Sequence, residues 1–289
     1  MLPEITIQVP NILADIEVVE RLYAAIARAP LADQYTLDMS PVGFVKPYGV
    51  IALVTAARHL SGLSGHPVRL KNLAGDIHAY LDRIDLFDVG SDWLQPSDTL
   101  AEEWSRNPQT VNLLELTLVT GPADVATIAM RAHHIFAHWL VIKNLNSLLS
   151  VLSELCANVY QHSGDLQGCV LIQKYEATIR GQVIVQLAVG DVGCGIRGSL
   201  AARYDDIGDK PLDYLKAAMR GRSARSTGRG GLGLRLVEHI AASREGYLWL
   251  RSETAAIMTR GPIEVQNHDG LLHMPGTQVA VELRAPLRT

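Results

Sequence analysis

Gly228-Arg229-Gly230-Gly231-Leu232-Gly233-Leu234 runs without a break into Arg235 to Ala242, a segment with the apolar spacing of an amphipathic helix. The glycines leave a row of backbone N–H groups uncovered by side chains, ending where the helix begins. Aligned peptide dipoles and unpaired donors both favour negative charge at such a place, so the stretch reads as an anion cradle. Standing alone, a glycine-rich loop reads as a flexible connection. The chemistry carried by the rest of the chain decides between the two.

Upstream, the apolar run Val183 to Val189 delivers Asp191-Val192-Gly193-Cys194-Gly195-Ile196. An aspartate at a strand end followed by two glycines is an acceptor beside backbone thin enough for a flat ring to approach. A purine amine is a suitable donor to it, with Ile196 and the strand as apolar contact. Cys194 has no base or cation near it in sequence to make a thiolate and reads as incidental. Farther back, Leu148, Leu152, Leu155 and Val159 mark the buried stripe of a helix. Glu154, Asn158 and His162 fall at i, i+4 and i+8 on an adjoining face. A carboxylate and a carboxamide so placed can hold Mg²⁺ and its waters, because hard divalent cations bind oxygen and arrive with phosphates. A polar helix edge fits the same spacing.

Residues 220 to 235 contain five arginines, Arg220, Arg222, Arg225, Arg229 and Arg235. One reading is a mobile flap over a triphosphate, with Arg222, Arg225, Ser226, Thr227 and Arg229 as its lid; a solvated or partner-facing loop is the other. A helix is expected from Gly121 to about Lys143, carrying His133, His134 and His138. Its histidines read as metal ligands or as ordinary amphipathic residues, and no carboxylate or cysteine nearby completes a ligand set. After a strand at Gly246 to Arg251, a polar stretch to Pro275 precedes a final strand from Gly276 to Leu283, which includes Thr277.

The chain of 289 residues has the size of two ordinary domains. With 48% hydrophobic and 19% charged residues it has a globular composition, and a net charge of -4 gives no general attraction to nucleic acid or anionic membrane. Cys156, Cys169 and Cys194 are odd in number and lack C-x-x-C spacing, which argues against a disulfide framework or structural zinc. No apolar run is long enough to span a membrane, and the first residues lack a secretory pattern. A cytoplasmic protein is the expectation.

In the first hundred residues, Ile5 to Val9 alternates as a strand, and Ile16, Val19, Leu22, Tyr23 and Ile26 recur at helical spacing. A strand at Tyr35 to Met39, a loop through Gly49, a helix from about Val50 to Leu60 stopped by Ser61-Gly62, a strand at Val68 to Leu70 and a helix at Asp76 to Ile84 follow. This rhythm predicts an α/β layer with parallel pairing. Residues 93 to 110 are polar and turn-rich and are read as the linker, with Trp93 and Trp104 as packing residues.

The order of these first elements, with YTLDMSPVGFVKPYGVIALVTAARHL and PVRLKNL, resembles the STAS domain of anti-sigma-factor antagonists over about residues 5 to 90. In that family the corresponding loop reads Asp-Ser-Ser-Gly and carries the phosphorylated serine. Here Lys46-Pro47-Tyr48-Gly49 stands there, and the acceptor serine is missing. E-L-C-A-N, D-V-G-C-G-I and G-R-G-G-L-G-L, in that order with a terminal G-T strand, resemble the N, G1 and G2 boxes of the GHKL ATP-binding fold, shared by histidine kinases, anti-sigma-factor serine kinases, gyrase and Hsp90. The resemblance covers about residues 111 to 289.

It implies a two-domain α/β protein: a STAS-like α/β domain at 1–92, a linker at 93–110 and a GHKL (Bergerat) α/β sandwich at 111–289. It implies ATP and Mg²⁺ as ligands, with Asn158 on the metal and Asp191 on the adenine. Gly193 and Gly195 become the close backbone with Ile196 beside them; Gly230, Gly231, Leu232 and Gly233 face the phosphates; Thr277 adds a hydrogen bond on the adenine side. Glu154 is the general base of the hydrolysing members. The expected function is a Mg-ATP-binding bacterial regulator, either a serine/threonine kinase of the anti-sigma-factor type acting on a partner protein, or an ATP-gated interaction switch without phosphotransfer. Its expected partners are a sigma-factor-like or antagonist-like protein and a second copy of the chain, with neither nucleic acid nor membrane bound directly.

Overall fold

The computed structural model describes residues 2–97, 112–165, 167–177, 181–223, 233–261 and 264–288. The chain divides into two compact units, residues 1–110 with 272–274 and residues 111–271 with 275–289. Both mix helices with sheet. Among the described residues no helix is long and apolar enough to cross a membrane.

In the first unit, β1 (Glu4–Gln8) and the two-residue β2 (Ile12–Leu13) lead to α1 (Ile16–Ala27). β3 (Gln34–Asp38) and β4 (Phe44–Val45) precede the long α2 (Pro47–Ser64). β5 (Val68–Lys71), α3 (Gly75–Arg83), α4 (Leu86–Val89) and β6 (Leu94–Pro96) complete the series. The main sheet has the order β1-β3-β5-β6 with every pairing parallel. β2 and β4 form a separate parallel pair. α1 turns Val19, Leu22, Tyr23 and Ile26 inward, as their spacing requires. α2 packs on α1 and on β3, β5 and β6, and it is buried continuously from Pro47 to Ala57. A helix buried all round shows no amphipathic period.

Three differences from the sequence reading belong to this unit. α2 starts at Pro47, earlier than Val50, because proline suits the first helical turn, where its missing N–H would have had no partner. It passes Gly62 and stops at Gly65, whose φ of +74° makes a left-handed cap with its N–H on the Ser61 carbonyl at 2.8 Å. Residues 94–96 of the stretch read as linker are an edge strand instead: Leu94 pairs with Val68, and Trp93 is buried. Three residues ending in proline are too short to show a period, and an edge strand tolerates the proline. The remainder of that stretch, from residue 98, lies outside the described residues.

The second unit runs β7 (Leu113–Val119), α5 (Pro122–Phe136), α6 (Ile142–Asn158), a π-helical turn (Val159–Ser163), β8 (Gly168–Ala177), β9 (Gln182–Gly190), α7 (Gly195–Ala201), α8 (Pro211–Met219), α9 (Gly233–Ser243), β10 (Tyr247–Arg260) and β11 (Glu264–Pro286). The sheet order is β10-β11-β9-β8-β7, and the β7/β8, β8/β9 and β9/β11 pairs are antiparallel. One apolar cluster joins Phe136 of α5, Leu148 and Leu152 of α6 and Val237 of α9 to Val185, Leu187, Leu250 and Val281 of the sheet. Helices on a sheet face with one shared core make an α/β sandwich.

The helix expected from Gly121 to Lys143 is two helices. The chain turns after Phe136, with the N–H groups of Trp139 and Leu140 on the Phe136 carbonyl, and Leu140 enters the core. His138 therefore lies outside α5 and shares no helix face with His134; their rings meet edge-on at 6.0 Å. No group of three or more His, Cys, Asp or Glu side chains that could hold a metal occurs among the described residues. The polar stretch before Pro275 is strand as well: β10 reaches Arg260 and β11 begins at Glu264. Most of residues 264–271 are exposed, so neither face selects for apolar side chains and the alternation is lost.

Candidate functional site

The second unit holds a cleft of about 970 Å³, open solvent included. α6 and the π-helical turn supply Glu154, Asn158 and His162 along one wall. The helical period put these side chains in a row, and each is half-buried. Across from them stand Asp191, Gly195 and Ile196 after β9, Gly233 and Leu234 at the start of α9, and Thr277 on β11. Val159, Val189, Leu200, Leu250 and Val279 supply an apolar lining.

Asp191 is 5% exposed. Its Oδ1 accepts the Gly193 N–H at 2.9 Å and the Thr277 N–H at 3.3 Å, and its own N–H donates to the Thr277 carbonyl at 3.0 Å. Two main-chain donors thus set the plane of the carboxylate at the edge of an apolar slot. A flat heterocycle with an N–H edge suits that geometry, because burying such an edge requires an acceptor.

Glycine is demanded at two places around this carboxylate. A Cβ on Gly193 would overlap the Ser163 carbonyl, and one on Gly276, at φ +76°, would overlap the Asp191 main chain. Ser163 belongs to the π-helical turn, a widening of the helix that aims its carbonyl at the Cys194 N–H, 2.7 Å away. α6 and the Asp191 loop are joined by that bond.

At the other end of the cleft, Gly233 is the first residue of α9, and a Cβ on it would overlap Glu154 Oε2. The N-terminus of an 11-residue helix therefore meets a carboxylate directly. An anion placed there would receive the helix dipole and face Glu154.

Arg222 lies at the lip. Its Nη2 is 2.6 Å from Asp206 Oδ2 and its guanidinium stands 4.7 Å from the centre of the Tyr204 ring, while the Tyr204 hydroxyl donates to the Ser223 carbonyl at 3.0 Å. The other residues that the sequence reading assigned to a lid, Arg225, Ser226, Thr227 and Arg229, and the glycine-cluster residues Gly230, Gly231 and Leu232 lie outside the described residues.

Sequence reasoning missed the residues that hold this loop from behind. Asp165, nearly buried, accepts the Val192 N–H through Oδ2 at 2.9 Å and the Gln167 N–H through Oδ1 at 2.9 Å. Gln278, fully buried, donates to the Asp191 carbonyl at 3.2 Å and the Pro275 carbonyl at 2.8 Å. Ser252 bonds to two of the segments around the slot. None of the three left a trace, Ser252 falling just past the strand read at Gly246 to Arg251. The Cys194 thiol donates to the His162 carbonyl at 3.3 Å. Loss of water around its sulfur, with the Asp191 and Glu253 carboxylates adding to the effect, raises its pKa.

Residues 143–287 match the family described as histidine kinase-, DNA gyrase B-, and HSP90-like ATPase. The match contains every cleft residue named above. No curated protein matches the chain.

Proposed function

Because the chain belongs to the histidine kinase-, DNA gyrase B-, and HSP90-like ATPase family, we propose that its cleft binds Mg-ATP and that the protein is a signalling regulator of the anti-sigma-factor kinase type. The observation that carries this reading is the polarity of the cleft. An oriented carboxylate, Asp191, borders an apolar slot at one end, and the N-terminus of α9 meets Glu154 at the other. Adenine takes the first end and the phosphates the second, with Ile196 against the ring and Thr277 on its edge.

Asn158 and Glu154 are oxygen donors one helical turn apart in the same wall, a donor set that fits a hard divalent cation. Asn158 would be its protein ligand, and a bound Mg²⁺ would neutralise phosphate charge. Glu154 is placed to accept a proton from an attacking hydroxyl or water beside the phosphate end. Transfer then takes place to a serine or threonine of a partner protein, sigma-factor-like or antagonist-like, in the cytoplasm, with a second copy of the chain as a further partner.

A second reading has its own support. Tyr48, at the position where the STAS resemblance calls for the acceptor serine, is buried in the first turn of α2. A STAS-like unit without an acceptor favours an ATP-gated interaction switch in which nucleotide biases the segment from Arg220 to Gly233, read from the sequence as a lid, and no phosphate moves. Calorimetry with Mg-ATP tests the shared premise; absence of binding by the folded protein overturns both readings. Incubation with γ-labelled ATP and candidate partner proteins separates them: label on protein supports the kinase, and binding with neither label transfer nor phosphate release supports the switch.

A further inference from the structure

Ser252 sits on β10 behind the Asp191 end of the cleft, 2% exposed, and is not one of the lining residues. Its Oγ accepts the Ile196 N–H at 3.0 Å, donates to the Gly276 carbonyl at 3.0 Å and stands 3.5 Å from the Thr277 hydroxyl. A hydroxyl offers one donor and two acceptor sites, and these contacts use them all. A Cβ on Gly195 would lie 2.8 Å from the same oxygen, so the start of α7 rests directly on it. One atom therefore joins three chain segments separated by 56 and 24 residues: α7, β10 and the Gly276-Thr277 corner of β11.

Those segments flank the slot. Ile196 is one apolar wall, and the Thr277 N–H, next in the chain to the Gly276 carbonyl that Ser252 holds, is one of the two donors that orient Asp191 Oδ1. We infer that Ser252 is a positioning residue for nucleobase recognition, setting the distance between the Ile196 wall and the Asp191–Thr277 edge without touching the base. The inference rests on the ATP reading of the cleft. A hydroxyl that served only the pairing of β10 with its sheet neighbour β11 has no need to accept the Ile196 N–H of α7 as well. Removing it leaves a half-buried N–H and a buried carbonyl without this partner, and both then shift to find another. The shift falls on the slot, while the phosphate end, built from α6 and α9, keeps its own supports.

The test is the ratio of ATP to GTP affinity, measured by calorimetry in the wild-type chain, Ser252→Ala and Ser252→Thr. Wild-type protein should prefer ATP; Ser252→Ala should lose about tenfold in ATP affinity, with a smaller loss for GTP, so that the ratio contracts beyond what a lowered Tm, which weakens both nucleotides alike, produces. Ser252→Thr, which keeps the hydroxyl, should restore the ratio. If Ser252→Ala fails to fold, Ser252→Cys, of similar size but a weaker hydrogen-bonding group, gives the same readout. An unchanged ratio in a variant that binds both nucleotides less well would assign Ser252 a general structural role and overturn the inference alone. Wild-type protein that binds neither nucleotide overturns the ATP reading and the inference with it; equal binding of both overturns base recognition at this slot.

Discussion

The α-carbon of Gly233 lies against the Glu154 carboxylate so closely that any side chain there would overlap Oε2. Two segments distant in sequence, the wall of α6 and the N-terminus of α9, meet here, at the end of the cleft proposed above for the phosphates. Gly233→Ala must displace Glu154 or open the start of α9. It should weaken ATP binding more than AMP binding, since only the longer nucleotide reaches this end. Calorimetry with both nucleotides checks it, and an equal loss for the two would count against a phosphate-facing α9.

Glu154→Gln keeps the shape of the side chain and removes its basicity. ATP affinity should stay within about threefold while phosphate release or transfer falls by about 10² to 10⁴. Turnover at the wild-type rate would remove Glu154 from proton transfer.

Asp191→Asn can keep an oxygen toward Gly193 and Thr277 but presents an amide where an acceptor is needed. A hydrogen bond to a charged group contributes about 1.5 to 3 kcal/mol, so ATP affinity should fall about 10- to 150-fold with Tm unchanged. Wild-type affinity in this variant would move adenine away from Asp191.

The Cys194 thiol has a raised pKa. For an acid the neutral form then persists to higher pH, and the thiolate is the nucleophile. Between the ordinary cysteine value and its own raised one, Cys194 should alkylate several-fold more slowly than a free thiol such as glutathione. Cys156 and Cys169 are buried, so mass spectrometry after iodoacetamide at about pH 9 reads Cys194 first. A rate equal to that of glutathione would mean that neither the loss of water around the sulfur nor the Asp191 and Glu253 carboxylates hold the thiol neutral.

Some elements of this cleft were legible because their signal is local. Glu154, Asn158 and His162 reach the same wall because a period near four residues fixes the side of a helix on which they emerge. Gly193 announced a close approach by lacking a side chain, although its partner, the Ser163 carbonyl, left no mark in the text. The break between α5 and α6 was invisible, since no glycine or proline stands between Phe136 and Ile142 and the turn follows from the burial of Leu140. β6 and the outer half of β11 escaped for opposite reasons, one too short to show a period and the other too exposed.

By itself the sequence determined which chemical groups are present and which share a face within one helix or strand: the carboxylate and amide on α6, the aspartate before two glycines, the glycines at the start of α9. Tertiary structure alone decided which of them meet. The Thr277 N–H reaches Asp191 across 86 residues, Ser252 reaches Ile196 across 56, and Asp165 reaches Val192 across 27. Side-chain periodicity reports only neighbours within a turn or a pleat. A hydrogen bond between distant segments depends on where the sheet brings the chain back, and that is set by the packing of the whole core.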